Sequence, residues 1–95
     1  MYTILLADDE ESVIEVLRSS IGWQELGVGT LLSVMDGMAA LEEFEKHRID
    51  LLIADIRMPR MDGMELIRRV KKISPWTLCI LLTAYGEFEY AQMAI

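Results

Sequence analysis

Acidic side chains stand at two places where an apolar run stops, and a hydroxyl at a third. Thr3 to Ala7 ends on Asp8-Asp9-Glu10-Glu11, Leu51 to Ala54 ends on Asp55, and Leu78 to Leu82 ends on the hydroxyl of Thr83. An apolar run without polar alternation reads as a strand buried on both faces, the pattern of a parallel sheet. In such a sheet all strand C-termini share one edge, which is where open α/β sheets place their ligand crevice. Asp8, Asp9 and Asp55 then crowd together, and like charges at short range require a cation or raised pKa values. Several carboxylates in an all-oxygen site suit a hard divalent ion. Mg²⁺, which keeps several waters and accepts a phosphate oxygen, fits best. Any one of these acids could simply solubilise a sheet rim, but three of them and a hydroxyl, each at a strand tip, argue for a site.

The elements that position these groups follow from periodicity. Strands are expected over Thr3 to Ala7, Thr30 to Val34, Leu51 to Ala54 and Leu78 to Leu82. Ser12 to Ile21 carries Val13, Ile14, Leu17 and Ile21 at helical spacing. A second helix opens at Gly37, with Ala40, Leu41 and Phe44 on one face and Lys46, His47 and Arg48 toward its C-terminal end. Met58-Pro59 cannot continue the third strand. Asp62 and Glu65 then have capping-box spacing at the head of a helix from about Gly63 to Ile73, with Leu66, Ile67, Val70 and Ile73 inward and Arg68, Arg69, Lys71 and Lys72 outward. Ser74-Pro75 breaks that helix, and Glu87 to Ile95 begins a fourth. The order βαβαβαβα implies right-handed crossovers and a parallel sheet covered on both faces. Helix four is short and ends without a C-cap signal, which reads as a cut.

Ninety-five residues allow one small domain over 1–95, and 53% apolar residues supply a real core. Sixteen acids against 9 bases give a net charge of −7, unsuited to binding nucleic acid or an anionic membrane unaided. No apolar run approaches the roughly 20 residues that span a bilayer, and Met1-Tyr2-Thr3 does not begin a signal peptide. A cytoplasmic location fits. The single Cys79 excludes an internal disulfide and reads as a core thiol. One His, His47, cannot build a zinc site and reads as a solvated helix end. Trp23 reads as a packing anchor after helix one, and Met58 and Met61 as turn or core positions. No Gly-x-Gly-x-x-Gly or Gly-x-x-x-x-Gly-Lys is present.

The residues Asp8-Asp9-Glu10, the segment Asp55-x-x-Met58-Pro59-x-Met61-Asp62-Gly63 and Leu82-Thr83-Ala84 resemble the receiver domains of bacterial two-component response regulators, in order along the whole chain. Ile21-Gly22-Trp23-x-x-Leu26-Gly27 and Tyr85-Gly86-Glu87-Phe88-Glu89-Tyr90-Ala91 are similar to the subgroup that precedes AraC-type DNA-binding domains. The resemblance implies a flavodoxin-like three-layer sandwich with sheet order 2-1-3-4, with the family's fifth strand and fifth helix missing. It implies that Asp55 is the phosphoacceptor, receiving a phosphoryl group from a sensor histidine kinase. Asp9, Asp55 and the backbone carbonyl of Arg57 would hold Mg²⁺ directly and Asp8 through water. Thr83 would hydrogen-bond the attached phosphoryl group, and small Ala84 would leave it room. The family's Lys at the end of its fifth strand has no counterpart, since Lys71 and Lys72 lie on helix three. Arg57 and Tyr85, both large, occupy the positions that control water access to the aspartyl phosphate. Partners implied are the kinase and, through a separate effector domain, DNA. The absent fifth strand would leave Thr77–Thr83 as an edge and favour homo-oligomers through it. The competing enzyme class, an aspartyl phosphatase of haloacid-dehalogenase type, wants a second acid two residues after the nucleophile, where this chain has Arg57.

Overall fold

The computed structural model describes residues 1–82. The elements in chain order are β1 (Tyr2–Ala7), α1 (Glu11–Ser20), β2 (Val28–Val34), α2 (Gly37–Lys46), β3 (Leu51–Asp55), α3 (Gly63–Ile73) and β4 (Leu78–Leu82). The expected helix over Glu87 to Ile95 lies outside the described residues. All neighbouring strands are parallel, and the sheet order is β2-β1-β3-β4, as expected. The apolar runs that define the central strands explain their burial, because alternate side chains serve opposite faces. Leu5, Ala7, Leu52 and Ala54 face α2 and α3 in one core with Ala40, Leu66 and Val70. Ile4, Leu6 and Ile53 join Ile14 of α1 and Val28 in a second core on the other face. The result is three layers, helix–sheet–helix.

Helix starts follow local side-chain chemistry. Asp62 accepts from the Glu65 backbone N–H at 2.8 Å, as the spacing predicts. Glu65 does not complete a capping box; it pairs with Arg68 and Arg69 at 3.6 and 3.1 Å. Asp36 caps α2 by accepting from Ala39 N–H at 2.8 Å. Trp23 packs against the second core and donates Nε1–H to the Leu17 carbonyl at 2.9 Å, anchoring the turn after α1.

Three expectations are corrected. Strand β2 begins at Val28, two residues earlier than its apolar run suggests, because Tyr2 pairs with Val28 across a register irregularity. Strand β4 is not buried on both faces: Leu78 is 68% and Ile80 47% exposed, because among the described residues no helix covers that side of it. Ile73, the last residue of α3, is exposed rather than inward and lines an open groove beside the end of α2. Cys79 is half-buried against the first core, and burial raises its thiol pKa. His47 is exposed, as expected. Among the described residues no helix is long and apolar enough to cross a membrane.

Candidate acidic site at the strand tips

The register of the sheet builds the site. Ala7 of β1 pairs with Ala54 of β3, so Asp8 and Asp55 follow side by side on the same edge. Asp55 pairs with Leu82 of β4, so the described end of β4 reaches the same rim. Carboxylate oxygens of Asp8, Asp9 and Asp55 lie within 4.8 Å of one another. Asp8 is buried, Asp55 half-buried and Asp9 exposed.

Backbone bonds hold the chain around these acids. Val34 accepts from Asp8 N–H at 3.1 Å, and Leu82 accepts from Ile56 N–H at 3.2 Å. The Asp8 carboxylate accepts from Glu10 N–H at 2.8 Å, fixing its rotamer. After Asp55 the chain turns through Ile56, Met58 and Met61, all buried, so the Met-Pro turn is anchored in the core. Gly63 N–H returns to the Ile56 carbonyl at 2.8 Å. A methyl group at Gly63 would collide with the Asp55 carbonyl, which explains a glycine at the first position of α3. Arg60 takes a left-handed conformation, φ 67°, and its guanidinium pairs with Asp36 at 2.5 Å, tying the Asp55 loop to the head of α2.

The electrostatics follow from burial and repulsion. The Asp55 carboxyl is held above the usual carboxylate range, first by burial and then by the charges of Asp8 and Asp9. Asp8 is raised as well, by burial and to a smaller degree by Asp9, against the opposing bond from Glu10. A divalent cation relieves both effects at once. Three convergent carboxylates are the donor set a hard, oxygen-seeking ion such as Mg²⁺ takes.

The structure thus brings together three of the expected site residues, Asp8, Asp9 and Asp55, with Arg57 exposed two residues beyond Asp55. Thr83 and Ala84 lie outside the described residues. Sequence reasoning missed Asp36 and Arg60. An acid just before the apolar face of α2 was an available N-cap signal, but a pair 24 residues apart leaves no local trace.

Comparison with known proteins agrees with this geometry. The family model for the response regulator receiver domain matches residues 4–95. The chain is 40% identical over its whole length to the uncharacterized transcriptional regulatory protein YesN of Bacillus subtilis, and covers 26% of that protein. A crystal structure of a two-component transcriptional regulator AraC from Clostridium phytofermentans superposes with a TM-score of 0.89 at 34% identity, covering 95% of this chain and 73% of that one. The response regulator TrrA of Thermotoga maritima, solved in complex with Mg²⁺ and BeF, superposes with a TM-score of 0.82 at 33% identity, covering 99% of this chain and 81% of that one. The chain belongs to the response regulator receiver domain family. It is a signalling domain of two-component systems rather than a conventional enzyme, and its relatives are transcriptional regulators. It spans between 26% and 37% of the length of the first curated relatives it matches.

Proposed function

We propose that Asp55 accepts a phosphoryl group from a phosphohistidine of a sensor histidine kinase, and that this switches a downstream effector that regulates transcription. The observation that carries the reading is the meeting of Asp8, Asp9 and Asp55 within 4.8 Å at the β1 and β3 tips. An Asp55 carboxylate oxygen attacks phosphorus; the new O–P bond forms as the P–N bond to imidazole breaks, and the leaving imidazole keeps that electron pair. Asp8, Asp9, Asp55 and the Arg57 carbonyl would hold Mg²⁺. When bound, the ion supplies positive charge to the phosphoryl oxygens. Burial of Asp8 and its bond from Glu10 N–H keep one acid fixed beside the nucleophile. The Gly63 contact and the buried Met58 and Met61 hold the Asp55 backbone rigid while its side chain reacts.

By resemblance, the Thr83 hydroxyl donates to a phosphoryl oxygen and Ala84 leaves space for the group. DNA contact belongs to a separate effector domain, as the names of the relatives suggest. The setting is cytoplasmic. Self-association through the β4 edge is part of the same reading, supported by the exposure of Leu78 and Ile80.

Beryllofluoride with Mg²⁺, followed by NMR, tests the proposal. Shifts should centre on Asp8, Asp9, Asp55 and Thr83, require both components, and vanish in Asp55→Asn. Identical spectra with and without the mimic would contradict it.

A further inference from the structure

At the opposite end of the sheet from the acids, the ends of α2 and α3 enclose a groove of about 520 Å³. Its floor is apolar: Leu41 and Phe44 of α2, Ile73 of α3, and Trp76. Ile73 is 56% and Trp76 52% exposed, which is a large apolar surface to leave to water. Three cations line it, Arg48, Arg69 and Lys72, against a single lining carboxylate, Glu45; Arg69 is already paired with Glu65 at 3.1 Å, which leaves Arg48 and Lys72 as the excess positive charge. In a chain of net charge −7 this is a local reversal of sign.

The groove is built in advance. The Arg48 guanidinium stacks on the Trp76 ring with 5.0 Å to its centroid. Behind that pair the fully buried Thr77 donates its hydroxyl to the Ile49 carbonyl at 2.8 Å and lies 2.5 Å from the Ser74 hydroxyl. The Thr77 carbonyl accepts from Lys71 Nζ at 2.6 Å. These bonds fix the loop that carries Trp76 against the chain leaving α2, so a ligand would not have to order it. A stacked Trp–Arg pair on a rigid apolar floor is the composition of an interaction hot spot. Arg69 and Lys72 stand one turn apart along α3, and Arg48 lies beyond the end of α2. The charges are therefore spread along a rim, not converged on one point as a compact anion would need.

We propose that this groove docks a partner peptide segment that is acidic and carries a large apolar anchor: the anchor on Phe44, Ile73 and Trp76, the acids on Arg48 and Lys72. It is distinct from the acidic site and needs neither Mg²⁺ nor phosphorylation.

Selection from a random peptide library displayed on phage, against the immobilised 95-residue chain, tests it. The proposal expects peptides rich in Asp and Glu with one or two aromatic or aliphatic anchors. A selected peptide should bind about tenfold more weakly to the double variant R48E/K72E, and more weakly in high salt, because charge reversal at a rim acts through complementarity. Trp76→Ala should also lose binding. Since Arg48 and Lys72 are exposed, R48E/K72E should retain the near-ultraviolet circular dichroism of the parent, which separates lost docking from lost folding. Failure to select peptides, selection without acidic enrichment, or equal binding by R48E/K72E would overturn the proposal. So would concentration-dependent self-association abolished by R48E/K72E, which would assign the groove to a second copy of the chain.

Discussion

Replacing Asp55 by Asn should stabilise the metal-free chain. The carboxylate of Asp55 faces those of Asp8 and Asp9 within 4.8 Å. Two unit charges at 4.8 Å repel by about 3.5 kcal/mol at an effective dielectric constant of about 20 and by about 0.9 kcal/mol in bulk water. Asp8 is buried and Asp9 exposed, so the first neighbour approaches the larger figure and the second the smaller. Protonation of the wild-type cluster relieves part of this repulsion, and Asn weakens bonds that Asp55 accepts from the Ile56 and Arg57 backbone. A net gain of about 1–2 kcal/mol remains after those deductions. Urea unfolding in EDTA measures it as a shift in midpoint at constant slope. In millimolar Mg²⁺ the order should reverse or close, because the wild type gains binding energy that Asp55→Asn largely lacks. If Asp55→Asn lowers the midpoint in EDTA, the repulsion has been overestimated and the cluster is not strained. If Mg²⁺ raises both proteins equally, Asp55 is not part of a metal site.

Further expectations follow from the same geometry. Asp8 and Asp55 have raised folded-state pKa values, so the folded chain binds more protons than the unfolded chain just above the ordinary value of 3.8. Metal-free stability should therefore fall as pH rises from there through the folded-state values, then level off; urea midpoints against pH in EDTA check this. Asp36 contributes with the opposite sign, because the Ala39 N–H bond and the Arg60 pair lower its pKa, and that stability is lost on acidification. Asp36→Ala should cost about 1 kcal/mol through the lost α2 cap, read by urea unfolding at neutral pH. Gly63→Ala should cost about 3 kcal/mol by forcing the Asp55 carbonyl aside, and should weaken the Mg²⁺ response with it; an unchanged midpoint would mean the contact relaxes freely. Asp9→Ala should weaken Mg²⁺ binding in a direct titration, and equal affinity would remove Asp9 from the site. Aspartyl phosphate lifetimes should shorten when Arg57 and Tyr85 are both made small, if these side chains restrict water.

The sheet was legible because its signal is local. Leu51 to Ala54 and Thr3 to Ala7 are unbroken apolar runs, and their acids fall where a parallel sheet collects strand tips. Asp62 announced its helix by spacing alone. What escaped was set by tertiary surroundings. The composition of Leu78 to Leu82 does not reveal which neighbour covers it, so Leu78 and Ile80 read as core although they are exposed. Ile73 keeps the period of α3 but faces an open groove at the end of that helix. The Asp36–Arg60 tie depends on a left-handed Arg60, a conformation with no glycine to signal it. The groove between α2 and α3 joins His47 and Arg48, which read as the end of helix two, with Lys72, which reads as the outward face of helix three.

The central claim is that Asp55 takes the phosphoryl group. Incubation of the chain with acetyl phosphate and Mg²⁺, trapping with borohydride and peptide mapping by mass spectrometry locate the acceptor directly. The account predicts one modified position, Asp55, reached slowly in this 95-residue chain, dependent on Mg²⁺ and absent from Asp55→Asn. Modification at Asp8 or Asp9, labelling that ignores Mg²⁺, or no labelling at all after prolonged incubation would contradict it.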